Sequence, residues 1–185
     1  MPYIQVSVYL YEVLFVPGRV DLILNFCQIE KKGKELNAAT ALLKETNTTL
    51  KEGLFDLILG DGLYYTREKF QLCEVELHAH LLIKTSERLN VVKDVEFYCS
   101  NNAPEVVTVK GYDSERLCSY CIQAVKNIHG ETIDYPLQVA IVTEEYTKTE
   151  KTETFYVITS DPDLTPSQIR YLYLLQFYWR SSGFG

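Results

Sequence analysis

One stretch limits what this chain can fold into more than any other. It is Leu54-Phe55-Asp56-Leu57-Ile58-Leu59-Gly60-Asp61, followed by Gly62-Leu63-Tyr64-Tyr65-Thr66. An apolar run with so few polar interruptions is the pattern of a strand covered on both faces. Thr66 is placed to cap a helix, with Glu68 in the first turn, where the helix dipole favours an anion. Phe70, Cys73 and Leu77 follow at helical spacing, and Ala79–Lys84 reads as another strand. Strand 54–60, helix 66–77 and strand 79–84 make a βαβ unit, so the two strands are expected to be parallel. Asp61 then stands at the C-terminal tip of a buried strand, where open α/β sheets build their sites.

Before this unit, residues 3–14 are β-branched and aromatic, and Val20, Leu22, Leu24 and Phe26 alternate with polar residues. With the turn signal Pro17-Gly18 between them, these segments form an antiparallel hairpin. Lys31-Lys32-Gly33-Lys34 opens a polar loop. A helix follows from Leu36 to Glu45, with Ala39, Leu42 and Leu43 inward and Asn47-Thr48-Thr49 closing it. From Val91 to Ser160 the texture becomes nearly all β. Strands are expected at Val95–Cys99, Val106–Lys110, Cys118–Val125, Leu137–Thr143 and Thr154–Thr159, pairing antiparallel, with the last returning to the main sheet. Thr165-Pro166-Ser167-Gln168 is a capping box that opens a final helix, with Ile169, Leu172 and Gln176 on one stripe, Leu175 and Trp179 beside it, and Gly183 as its stop. The expected fold is an α/β core in residues 1–85, a β-rich insertion in 86–153, and a final strand and helix of the core in 154–185.

Composition excludes several classes. At 46% apolar and 23% charged, 185 residues suffice for one domain with an inserted sub-domain, and the chain is not disordered. A net charge of −7 is unlike an autonomous nucleic-acid binder, which carries a basic excess. The five cysteines (27, 73, 99, 118, 121) are scattered through expected elements, which suits buried thiols better than a disulfide framework. Met1-Pro2-Tyr3 opens no signal peptide, and no apolar run approaches the ~18 residues of a membrane span. The expectation is a soluble, cytoplasmic protein.

Residues 54–70, LFDLILGDGLYYTREKF, resemble the second-acid motif of bacterial insertion-sequence DDE transposases: an apolar strand, then Asp-Gly or Asp-Ala, Leu-Tyr and a helix. Three collinear pieces agree. Residues 29–43, IEKKGKELNAATALL, are similar to the family's Gly/Lys-Glu segment leading into an Ala/Leu helix. Residues 81–87, LLIKTSE, are similar to its next strand, and residues 135–160 resemble the strands before its last helix. The resemblance covers most of the chain. It implies a ribonuclease-H-like mixed sheet with a β insertion between the second and third acids. It also implies Mg²⁺-dependent phosphoryl transfer on DNA, with element ends, target DNA and a second transposase subunit as partners.

Such chemistry activates water, or a DNA 3′-hydroxyl, and stabilises the leaving oxygen with two divalent ions about 3.5–4 Å apart. Mg²⁺ takes oxygen ligands, so three carboxylates must converge. Asp61 matches the second acid and is the implied metal ligand and catalytic residue. The third belongs to an Arg-Trp-x-Ile-Glu type of motif on the last helix. With Gly183-Phe184 as register, Gln176 stands where the Arg would be and Arg180 where the Glu would be. From Thr165 to Gly185 there is no Asp or Glu at all. The counterpart of the first acid would lie before Met1, and Glu12 and Asp21 fall within the hairpin rather than at a strand end. A lone carboxylate holds Mg²⁺ weakly, so the chain is expected to be inactive by itself. It reads as a truncated or degenerate copy, or as a non-catalytic module that pairs with an intact transposase. A core lacking its first strand also leaves an open edge, and self-association is expected from it.

Other candidates have simpler roles. Glu35, in a first helical turn, is a dipole partner. Asp161 and Asp163 belong to the turn before the last helix. Lys84 shares a sheet edge with Asp61 and is either solvated or turned to a phosphate. Cys118 and Cys121 would point to opposite strand faces. His78 and His80 would share a face only if their strand began at 78.

Overall fold

A computed structural model describes residues 8–14, 22–29, 35–49 and 55–181. Strands β1 (Val8–Leu14) and β2 (Leu22–Ile29) form the expected antiparallel hairpin, with Tyr11 opposite Phe26 and an irregularity at Glu12/Val13. The turn at Pro17-Gly18, the loop at 31–34 and the stop at Gly183 lie outside the described residues. Helix α1 (Glu35–Thr49) packs on the hairpin. It runs through Asn47-Thr48-Thr49 rather than closing there. Thr48 Oγ1 donates to Lys44 O at 2.8 Å, while Thr46 and Asn47 are buried. These polar residues find partners without leaving the helix.

Strand β3 (Leu57–Gly60) leads through a short 3₁₀ turn at Gly62–Tyr64 into α2 (Arg67–Gln71), which continues as a π-turn over Leu72–Glu76. Thr66 caps α2 as expected, accepting from Lys69 N–H at 3.3 Å. Strand β4 (His80–Thr85) pairs parallel with β3, Leu57 opposite His80 and Gly60 opposite Ile83, so the βαβ unit is borne out. Helix α3 (Asn90–Ser100) replaces the strand expected at Val95–Cys99. The valines invited a strand reading, but Val91, Val95 and Cys99 recur at i, i+4 and i+8. Val91, Val92 and Val95 are buried, so burial of that stripe overrides β-branched propensity.

Strands β5 (Val107–Asp113), β6 (Cys118–His129), β7 (Pro136–Tyr146) and β8 (Thr152–Thr159) pair antiparallel, and β8 lies beside β4. The β-rich block therefore extends the same sheet as the βαβ unit, in the order β3-β4-β8-β7-β6-β5. The sheet is mixed because β3 and β4 run parallel. The hairpin stays in a separate two-stranded sheet, and among the described residues β3 has no neighbour on its other side. Helix α4 (Pro166–Ser181) closes the fold. Its capping box forms: Thr165 N–H donates to Gln168 Oε1 at 2.9 Å and Gln168 N–H to Thr165 Oγ1 at 3.3 Å.

The sheet separates two cores. On one face Phe70, Leu72 and Leu77 around α2, and Val91, Val92 and Val95 of α3, cover Ile58, Leu81, Ile83, Val139 and Ile158. On the other, Ile169, Tyr173 and Leu174 of α4 cover Leu82, Ala140, Val142 and Val157. Lys69 of α2 is buried and donates to Leu36 O at 2.7 Å and to the Thr40 hydroxyl, tying α1 to the first layer. Among the described residues no helix is long and apolar enough to cross a membrane.

Candidate functional site

Asp61 follows the last residue of β3, at the C-terminal end of the parallel pair. Its backbone is extended and its Oδ1 accepts from Leu63 N–H at 3.0 Å, capping the 3₁₀ turn. Gly60 packs closely under Tyr64: a Cβ there would sit 3.0 Å from Tyr64 Cγ, and the ring would have to give way. Gly62 brings the loop onto β4, where its own Cβ would lie 3.4 Å from Lys84 O. Asp61 thus shares an edge with Lys84, as expected.

A cleft of about 370 Å³ opens at that edge, with Lys84, Ser86, Arg88, Thr154 and Tyr156 among its walls. Lys84 is half-buried rather than simply solvated, and its Nζ lies 5.4 Å from the centroid of Tyr173, which stacks on Phe155. Tyr156 donates to Glu96 Oε1 of α3 at 3.0 Å. Burial and that carboxylate push the Tyr156 phenol up to about 12. The cleft walls carry the cations Lys84 and Arg88 together with the Glu87 carboxylate and several hydroxyls, so its lining is mixed in charge.

The metal implied by the resemblance needs an octahedral oxygen shell, supplied by several carboxylates or waters. Asp61 follows the last residue of β3, and its Oδ1 is used to cap the turn. No group of three His, Cys, Asp or Glu side chains gathers to hold a metal among the described residues. The described residues by themselves do not fit a Mg²⁺ centre. Gln176 and Arg180 lie on α4, and their side chains are outside the described ones.

The remaining candidates separate cleanly. Cys118 is buried toward α4, and Cys121 faces the α3 side, three residues on along β6. The His78–His80 pair does not form, because β4 begins at His80 and His78 has φ 53°. His80 Nδ1 instead lies 3.2 Å from Glu74 Oε1. Asp161 Oδ1 accepts from Asp163 N–H at 2.8 Å, which makes both part of the turn before α4. Glu35 opens α1 in its first turn.

Sequence reasoning missed a buried charge cluster that seats α4. Glu144 of β7 is fully buried. It accepts from Arg170 Nε, Arg116 Nη2 and Tyr146 OH, each at 2.8 Å. Arg170, one turn into α4, also donates to Asp113 Oδ2 at 2.9 Å and lies 4.2 Å over the Tyr120 ring. Burial works against both arginine charges, but Glu144 outweighs it for Arg116, and Asp113 with Glu144 outweighs it for Arg170, so both stay firmly protonated. Burial likewise pushes Asp113 upward, yet its bonds from Arg116 N–H and Arg170 hold it below the usual carboxylate range. Burial and then Glu144 push Tyr146 up to about 12. A signal did exist. Gln138, Ala140, Val142 and Glu144 alternate on one face of β7, so the strand's inward stripe continues through the acid. A buried carboxylate with every partner in place is a structural anchor, and it is not available as a metal ligand.

Comparison with protein-family models, with curated proteins and with solved structures found no match to this chain.

Proposed function

We propose that the chain is a catalytic-domain fragment, or degenerate copy, of an insertion-sequence DDE transposase with a ribonuclease-H-like core, and that it does not transfer DNA strands by itself. The observation that carries this reading is Asp61. It caps the turn that leaves a parallel strand, with Gly62 against Lys84 of the neighbouring strand, at the end where an α/β sheet offers a ligand site. The motif Gly60-Asp61-Gly62-Leu63-Tyr64, the β-rich block and the final helix occur in the order the resemblance implies. In an intact relative, three acids and Mg²⁺ would act on the phosphodiesters of element ends and target DNA. Here the last helix supplies no acid, and a guanidinium at Arg180 would repel a divalent cation.

The test is Mn²⁺ titration of the full chain and of Asp61→Ala, followed by electron paramagnetic resonance. Weak binding that disappears in the variant supports an ancestral ligand. Equal binding in both chains, with no association with an intact transposase of this type, sinks the reading. Sequencing the flanking DNA is an independent check. An upstream strand ending in Asp and a downstream Arg-Trp-x-Ile-Glu helix, between inverted repeats, are the expected result.

The second reading is an interaction module that pairs with an intact transposase. Its support is the net charge of −7 and the acid-free stretch from Thr165 to Gly185. Metal-independent capture of an intact subunit would favour it over residual catalysis.

A further inference from the structure

Cys121 belongs to a Cys-x-x-Cys sequence, yet its useful neighbour is elsewhere. Along β6, Cys118 turns toward α4, where Arg170 Nη2 approaches its sulfur at 3.8 Å. Cys121 shares the opposite face with Gln123 and Val125, and Val125 belongs to the core that α3 covers. Helix α3 packs on β6 and β7. The bond from Tyr156 to Glu96 fixes its position: Tyr156 pairs with Ile141, and Ile141 with Gln123, so Glu96 lies over the row that contains Gln123. Cys99 is three residues farther along α3, one turn beyond the buried Val95 on the same stripe. Cys121 is the next residue beyond Gln123 on that sheet face. Both thiols are half-buried, and neither is in a disulfide.

We propose that Cys99 and Cys121 form a dithiol site that closes to a disulfide on meeting a small-molecule disulfide such as oxidised glutathione. One protein thiolate attacks the reagent and expels a glutathione thiolate. The other then attacks the mixed disulfide and expels the second. Two protein thiols are oxidised, the reagent is reduced to two thiols, and the protons lost by the protein protonate the leaving thiolates. Burial, then Cys121 and Glu96, raise the Cys99 thiol above its ordinary value, so closure quickens as pH rises. Closure pins the last turn of α3 to β6. It thereby fixes Glu96, and through it Tyr156 in the cleft wall. Lys110 of β5 is the cross-strand neighbour of Cys121 and the nearest cation by register.

The experiment exposes the reduced full chain to oxidised glutathione, digests it without reductant and maps the linked peptides by mass spectrometry. A Cys99–Cys121 link is expected, forming faster in the folded chain than in urea. It is lost in Cys99→Ser and in Cys121→Ser, and retained in Cys118→Ser and Cys27→Ser. Persistent glutathione adducts on the two cysteines without a link overturn the proposal. So does a link from Cys121 to Cys118, or equal rates in folded and unfolded chains.

Discussion

Replacing Glu144 tests whether the buried charge cluster seats α4. The carboxylate is wholly withdrawn from water and receives three hydrogen bonds, two of them from arginines. Each bond to a charged group is worth about 1.5–3 kcal/mol, but the three share one acceptor and do not add. The limiting cost is the charge left behind. Glu144→Gln strands Arg116 beside a tyrosine and leaves Arg170 with Asp113 alone. Breaking one side of a buried ion pair costs about 3–5 kcal/mol. Against a typical domain stability of about 5–15 kcal/mol, that is a large share. Urea unfolding followed by far-ultraviolet circular dichroism reads it directly. With an m-value of about 2 kcal/mol/M, the midpoint should fall by about 1.5–2.5 M. Removing one pair together, as in Glu144→Leu with Arg170→Leu, should cost less than the sum of the single changes, because neither member of that pair is left as a lone charge, although Arg116 and Asp113 each still lose a partner. A Glu144→Gln loss under about 1 kcal/mol, or strict additivity in the double variant, would refute the reasoning.

Acid should loosen the same anchor. Asp113 has a depressed folded-state value, so its contribution is complete above the ordinary aspartate value of about 3.9 and is lost as pH falls through the folded one. The urea midpoint should therefore drop below about pH 4, and Asp113→Asn should lower it at neutral pH while flattening that acid limb; an unchanged limb would refute the assignment. Gln138 is buried with neither side-chain polar atom bonded to protein, so Gln138→Met should raise stability by about 1 kcal/mol or more in the same assay. A loss there would mean that the amide is satisfied in solution.

Much of the molecule was written in local pattern. The apolar run before Asp61, the Thr66 cap and the next apolar strand specify strand, helix and strand, because covered strands and capped helices leave signatures within a few residues. The capping box at Thr165 formed as read, and so did the hairpin of β1 and β2. The same local logic failed at α3, where consecutive valines suit either a strand or a helix stripe and only burial decides between them.

The sequence by itself determined a βαβ unit with Asp61 at its tip, an antiparallel β block and a capped last helix. Period, capping and turn chemistry act between neighbours in the chain. Tertiary structure alone decided that the block extends the βαβ sheet through β8 and that the hairpin remains a separate sheet. It also decided that Glu144 meets Arg170 and Arg116, and that α3, expected as a strand, covers the sheet face that carries Cys121. Those outcomes join residues tens of positions apart. Their free energy comes from desolvation and strand pairing that exist only once the layers close, so no window of sequence contains them.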